Sequence, residues 1–140
     1  MDENKASKLV IGAAIEVHRI FGPGLLESAY ASALAVEFAL RKIPFEKEKE
    51  LPVIYKGRKL DTGFRADFLV GGNLIVEIKA VQVITEIHFA QVMNYLKLSN
   101  CKLGLLLNFN VKYLRDGIRR VANDLPESEN VVERVHYFHR

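Results

Sequence analysis

Three features of the chain predict an α/β fold. Helical periodicity fills the first third, mixed β-branched and aromatic segments take over after Pro44, and a later amphipathic helix separates two strongly apolar strand candidates. The 140 residues are of single-domain length, and an apolar fraction of 49% is enough for a core of ordinary size, so one domain over 1–140 is expected.

The elements follow in order. Over 5–21, Val10, Ala13, Ala14, Val17 and Phe21 recur at helical steps, and "GPG" at 22–24 ends the pattern. A second helix, rich in Ala and Leu, is expected over 25–41 and stops before Pro44. "FEKEKELPVIYKGRKLDTGF" then mixes charged with β-branched and aromatic residues around "KGRK", which suggests a hairpin turning at 56–58. Next come the apolar ribbon "RADFLVGGNLIVEIKA", a helix over 86–97, and the strand "KLGLLLNF" at 102–109. "YLRDGIRRVAND" reads as a turn followed by a short strand or helix. "VVERVHYFHR" reads as a last strand or a loose tail, and as a strand it would pair within the chain or with a second copy in a homodimer.

Composition narrows the function classes. With 20 basic and 17 acidic residues the formal charge is +3, well short of a polycationic nucleic-acid coat. The single cysteine, Cys101, allows no disulfide within the chain and fits a reducing cytoplasm. The N-terminal "MDENKASKLV" is polar, and runs such as "LGLLL" fall far below the roughly 20 residues a membrane helix needs, so a cytoplasmic protein with no membrane partner is expected. P-loop, dinucleotide, nucleophile-elbow and zinc-protease motifs are absent. His18 falls at a helix end, and His136 and His139 have only the tail as context.

The ribbon carries charge in its middle. In "LIVEIKA", Leu74, Val76, Ile78 and Ala80 share one face, and Ile75, Glu77 and Lys79 share the other. A two-residue "GG" loop would put Asp67 on the apolar face beside Val76. A three-residue "GGN" loop instead pairs Phe68 with Val76 and Ala66 with Ile78, and sets Asp67 opposite Glu77. Two carboxylates so opposed repel unless something intervenes. Either Arg65 and Lys79 neutralise them on a solvated sheet face, or a divalent cation with a preference for hard oxygen ligands lies between them.

Two helices add polar groups. Glu27 lies on the midline of the stripe Ala31, Leu34 and Phe38, with Tyr30 on its flank, so it is expected to point inward. It also falls in the first turn of its helix, where a carboxylate is favoured by the helix dipole alone. On the helix over 86–97, Phe89, Val92, Met93 and Leu96 form the core face, and His88, Gln91 and Tyr95 line its edge.

In this order Asp67, the Glu77-Ile78-Lys79 run and the Gln91…Tyr95 pair resemble the D…(D/E)-x-K signature and following helix of the PD-(D/E)XK nuclease superfamily. "GLLESAY", with Gly24, Glu27 and Tyr30, resembles the motif of its GxxExxY protein family. With "VEIKA" and "AQVMNYLK", the resemblance covers about 8–122, and Ala66 stands where the superfamily name has proline. The resemblance implies a restriction-endonuclease-like α/β core, a mixed central sheet flanked by helices, with the active site where the central strands diverge. It implies Asp67, Glu77 and the Ile78 carbonyl as ligands of Mg²⁺ or Mn²⁺, with Glu27 as a further acidic ligand. Lys79 would position the attacking water, and Gln91, Tyr95, Tyr30 and His88 would orient or support. The function expected is a metal-dependent nuclease on DNA, ahead of RNA. The alternative is a non-catalytic binding or assembly module acting through a protein or nucleic-acid partner.

Overall fold

The computed structural model describes residues 1–123 and 132–133. Helix α1 (Glu3–Phe21) is capped by Asp2, whose carboxylate accepts from the Lys5 N–H at 2.8 Å, and it ends at Gly22, in the left-handed region at φ 63°. Helix α2 (Glu27–Leu40) follows the "GPG" loop. Strand β1 (Phe45–Leu51) leads into a separate hairpin, β2 (Ile54–Tyr55) and β3 (Arg58–Lys59), whose turn residues Lys56 and Gly57 both take positive φ, as the tightest hairpin turn requires. Then come β4 (Phe64–Val70), β5 (Leu74–Lys79), α3 (Glu86–Ser99), β6 (Leu103–Asn108), a 3₁₀ turn at Leu114–Gly117, β7 (Ile118–Ala122) and the two-residue β8 (Val132–Glu133). Of the expected C-terminal strand or tail only these last two residues are described, and His136 and His139 lie outside the described residues.

The main sheet has the order β1-β4-β5-β6-β7-β8. Only β5 and β6 run parallel, joined through α3, so the sheet is mixed as expected. Helices α1 and α2 bury Val10, Ala14, Tyr30, Leu34 and Phe38 against Phe68, Val70, Val76, Ile78, Leu105 and Leu107 on one face. Helix α3 buries Phe89, Val92, Tyr95 and Leu96 against Ile75, Leu106 and Val121 on the other. Gly104 allows that second contact, because a Cβ there would lie 2.7 Å from Val92 Cγ1.

The β4–β5 register is the one the alternation predicts. Phe68 pairs with Val76, Leu69 with Ile75 and Val70 with Leu74 across a Gly71-Gly72-Asn73 loop, both glycines at positive φ. The expected pairing of Ala66 with Ile78 does not form. Phe68 packs with Ile78 in the α1–α2 core, whereas Ala66, two residues earlier, belongs to the α3 core with Leu51. Strand β1 changes sides at the same point: Phe45 packs on the first core and Leu51 in the second. Between them Glu48 adopts φ 55°, and the β1–β4 pairing skips the Glu48–Asp67 position. Both strands change faces across this skipped position.

Candidate active site

The β4–β5 ladder stops after Phe68 and Val76, one step before the two carboxylates. Beyond that point side chains take over from backbone. Glu77 Oε1 accepts the Asp67 N–H at 2.7 Å, and Asp67 Oδ2 accepts the Ile78 N–H at 2.7 Å. Each carboxylate therefore satisfies an amide that the opened ladder leaves free. The N–H and C=O of one strand residue point to the same edge, so the Ile78 carbonyl also faces the Asp67 side.

Glu77 is only 4% exposed, because α3 covers the sheet face on which it and Ile75 lie. A solvated sheet face is thereby excluded. Arg65 does not neutralise the pair either. Its guanidinium goes to Glu48 at 3.6 Å and Glu50 at 3.3 Å across β1. The ammonium of Lys79, a half-buried residue, makes no hydrogen bond or ion pair among the described residues, yet its charge favours the ionised form of both carboxylates. Burial and then the neighbouring Asp67 charge push the Glu77 carboxyl up to about 8, against an opposing pull from the Asp67 N–H. Burial also raises Asp67, partly offset by the Ile78 N–H and Lys79.

Glu27 completes the group from the side. It opens α2, and its Oε2 accepts the Ala80 N–H at 3.3 Å, just past the end of β5. It is exposed rather than directed into the core as expected, because the first turn of α2 stands at the rim while the core stripe begins at Tyr30. Asp67, Glu27 and Ile78 line one cleft of about 440 Å³, walled also by Lys47, Glu48 and Arg65.

The supporting groups fall at different depths. Gln91 Nε2 donates to the Tyr95 hydroxyl at 3.2 Å, and Tyr95 is buried against Phe64 rather than lying at the boundary. Both Asp67 and Glu77 act electrostatically on the Tyr95 phenol, whose pKa is raised, first of all by burial. His88 is engaged at the start of α3, its Nδ1 accepting the Thr85 N–H at 2.9 Å. Fully buried Tyr30 donates its hydroxyl to the Gly22 carbonyl at 2.6 Å and accepts from the Leu25 N–H at 3.1 Å, while its ring stacks on Phe109. That side chain fixes the loop from which Glu27 emerges.

Asn108 joins these groups without a motif to mark it in the sequence. Buried at the end of β6 in register with Lys79, it accepts from the Val81 N–H at 3.1 Å and donates to the Val81 carbonyl at 2.9 Å. It holds the chain just after Lys79, where the ladder has ended. The signal available was a polar residue closing the apolar run "LGLLLN".

Among the described residues no three His, Cys, Asp or Glu side chains stand close enough together to enclose an ion. The donor set fits a divalent cation nonetheless. Asp67 and Glu77 repel each other, and each has one oxygen tied by an amide and a second making no hydrogen bond among the described residues. Mg²⁺ and Mn²⁺ suit such sparse oxygen sites, since Mg²⁺ keeps several waters and binds through one or two carboxylates.

Among the described residues no helix is long and apolar enough to cross a membrane. Comparison with curated proteins and with solved structures finds no match. The family model of the PD-(D/E)XK nuclease superfamily matches residues 4–121, which take in both carboxylates, Lys79 and all of the helical frame but Glu3, and the chain belongs to that superfamily.

Proposed function

We propose that the chain is a nuclease that requires Mg²⁺ or Mn²⁺ and hydrolyses phosphodiester bonds in DNA, ahead of RNA. The observation that carries this reading is the buried Glu77 set against Asp67 where the ladder opens, with the Lys79 ammonium, without an ion pair among the described residues, two residues on. Burying like charges side by side costs several kcal/mol unless a cation compensates.

In this reading Asp67, Glu77 and the Ile78 carbonyl hold the cation, and Glu27 joins from the rim of the cleft. A bound divalent cation supplies Lewis-acid stabilisation of the phosphate's non-bridging oxygens. Lys79 orients the attacking water and steadies the charge developing on the phosphate. Gln91 and Tyr95 act as a hydrogen-bonded pair behind the carboxylates, holding the substrate backbone or the site itself in place. Tyr30 and Asn108 act as positioning residues, one for Glu27 and one for the segment after Lys79. His88 supports α3 through its cap. The lone buried thiol of Cys101 suits work in a reducing cytoplasm.

The test is cleavage of a panel of single- and double-stranded DNA and RNA with Mg²⁺, Mn²⁺ or chelator, for wild type and Lys79→Ala. Metal-dependent cutting that the variant loses supports the proposal. Nucleic-acid binding without cleavage by wild type in any metal would contradict it and favour the binding module.

A further inference from the structure

The cleft holding Asp67 is lined by acids as well as bases, which makes it a poor track for a polyanion beyond the reacting phosphate. A second hollow, of about 550 Å³, differs in charge. It is lined by Arg19 and His18 from the end of α1, Gly22 of the "GPG" loop, and Lys112, Tyr113 and Arg115 from the segment after β6, with no carboxylate among its lining residues. Tyr113 is 50% exposed, and Lys112 Nζ and Arg115 Cζ lie 5.5 Å and 5.4 Å from its ring centroid. Arg19 is ion-paired, at 2.9 Å from Glu16.

The hollow is built on a braced loop. His18 Nε2 donates to the Val111 carbonyl at 2.8 Å, the Asn110 N–H donates to Asn108 Oδ1 at 3.2 Å, and Leu114 is buried. Its position links it to the candidate active site. The loop leaves β6 at Asn108, the register partner of Lys79, and the Phe109 N–H donates to the Lys79 carbonyl at 2.9 Å. On the other side, Tyr30 ties Gly22, which lines the hollow, to Leu25, two residues before Glu27.

We infer that this hollow binds a single-stranded nucleic-acid segment, with a base stacked on Tyr113 and its flanking phosphates held by Lys112, Arg115 and Arg19. The inference rests on the proposed nuclease reading for its choice of polyanion. An exposed ring among cations offers a stacking platform, and a base presents its face only when the strand is unpaired. Both cations over the ring sit within the roughly 6 Å range of cation–π attraction on long exposed side chains, so one swings out to a phosphate as the base replaces it. Duplex DNA has no free base face to offer.

The experiment is fluorescence anisotropy in chelator, where no turnover occurs, with labelled DNA and RNA strands of about 12 nucleotides, the matching duplex, and heparin as a polyanion without bases. Wild type is expected to bind the single strands, and the preferred sugar identifies DNA or RNA as the source. Tyr113→Ala is expected to weaken strand binding roughly tenfold or more, Tyr113→Phe to leave it unchanged, and neither to alter heparin binding. Lys112→Gln with Arg115→Gln is expected to flatten the salt dependence by about 1.4 in slope, roughly 0.7 for each lost phosphate contact. All three positions are exposed, and unchanged melting temperatures verify the fold. No strand binding by wild type, wild-type affinity in Tyr113→Ala, an equal loss on heparin, or an unchanged slope would overturn the inference. Cutting by wild type with Tyr113→Ala still binding normally removes this inference alone. Strand binding lost in Tyr113→Ala, with no cutting by wild type in any metal, removes the nuclease reading alone.

Discussion

The two ends of the β4–β5 hairpin are made from the same two strands and are closed by different chemistry. At the turn end, three residue pairs are knitted by backbone and flanked by apolar side chains no more than 8% exposed. At the open end the backbone pairing stops, and Glu77 and Asp67 take over the amide contacts with their carboxylates. The turn end shows what the sheet needs for stability. The open end shows what it gives up, because a protonated or repelled carboxylate under a helix stabilises nothing that a methyl group would not stabilise better. Cost concentrated at one end of a hairpin is what makes that end the candidate site.

The contrast breaks most visibly at the closed end. Leu74→Ala removes a fully buried side chain there and is expected to cost roughly 2–5 kcal/mol in denaturant unfolding, while leaving any metal response in place. At the open end Lys79→Ala should do the opposite. Cleavage is expected to fall by about 10²–10³, the effect of one lost charge-stabilising group, with the melting temperature within about 2 °C of wild type.

The carboxylates sharpen the comparison through pH. Glu77 keeps its proton in the folded state up to about 8 but loses it near its ordinary value of 4.5 when unfolded. The native state therefore binds more protons across that window, and wild-type stability in chelator falls as pH rises through it, then levels off. Glu77→Gln should remove this slope. The variant is expected to match wild type at about pH 4.5 and to exceed it by roughly 2–4 kcal/mol at about pH 8.5, read from urea melts across the range. The smallest effect is expected at the start of the neighbouring strand β4. Arg65→Ala breaks only exposed pairs with Glu48 and Glu50, so its cost should stay below about 1 kcal/mol and shrink in high salt.

The closed end was the more legible in the sequence. Alternation of Phe68, Val70, Leu74 and Val76 around "GGN" admits one sensible register, because a single-residue slip would put the apolar sets of the two strands on opposite faces. Helix and strand order followed from periodicity and from Gly22, Pro44 and the turn residues. The faces were less legible. Period two assigns Ile75 and Glu77 to an outer face, but β5 is a central strand covered on both sides, and only the packing of α3 reveals that. The inversion at Glu48 was hidden for a related reason. A glutamate at positive φ carries no sequence signature of the kind glycine provides. Ala66 therefore has a different partner from the one alternation predicts, and Glu27 has a different depth because the first turn of α2 stands at the rim, before the buried stripe begins at Tyr30. Asn108 escaped notice because its role depends on where β5 ends in space, a fact that its own neighbours in "LLLNFN" do not encode.

The central claim is that Asp67 and Glu77 are set together to share a cation. Thermal melting of wild type and Glu77→Gln, each in chelator and in millimolar Mn²⁺ at about pH 6.5 and about pH 8.5, tests it most directly. Cation binding must displace the Glu77 proton, so the wild-type melting temperature should rise with Mn²⁺, and rise more at the higher pH. The rise should vanish in Glu77→Gln. No rise in wild type at either pH, or an equal rise in the variant, would contradict a cation shared by these two carboxylates.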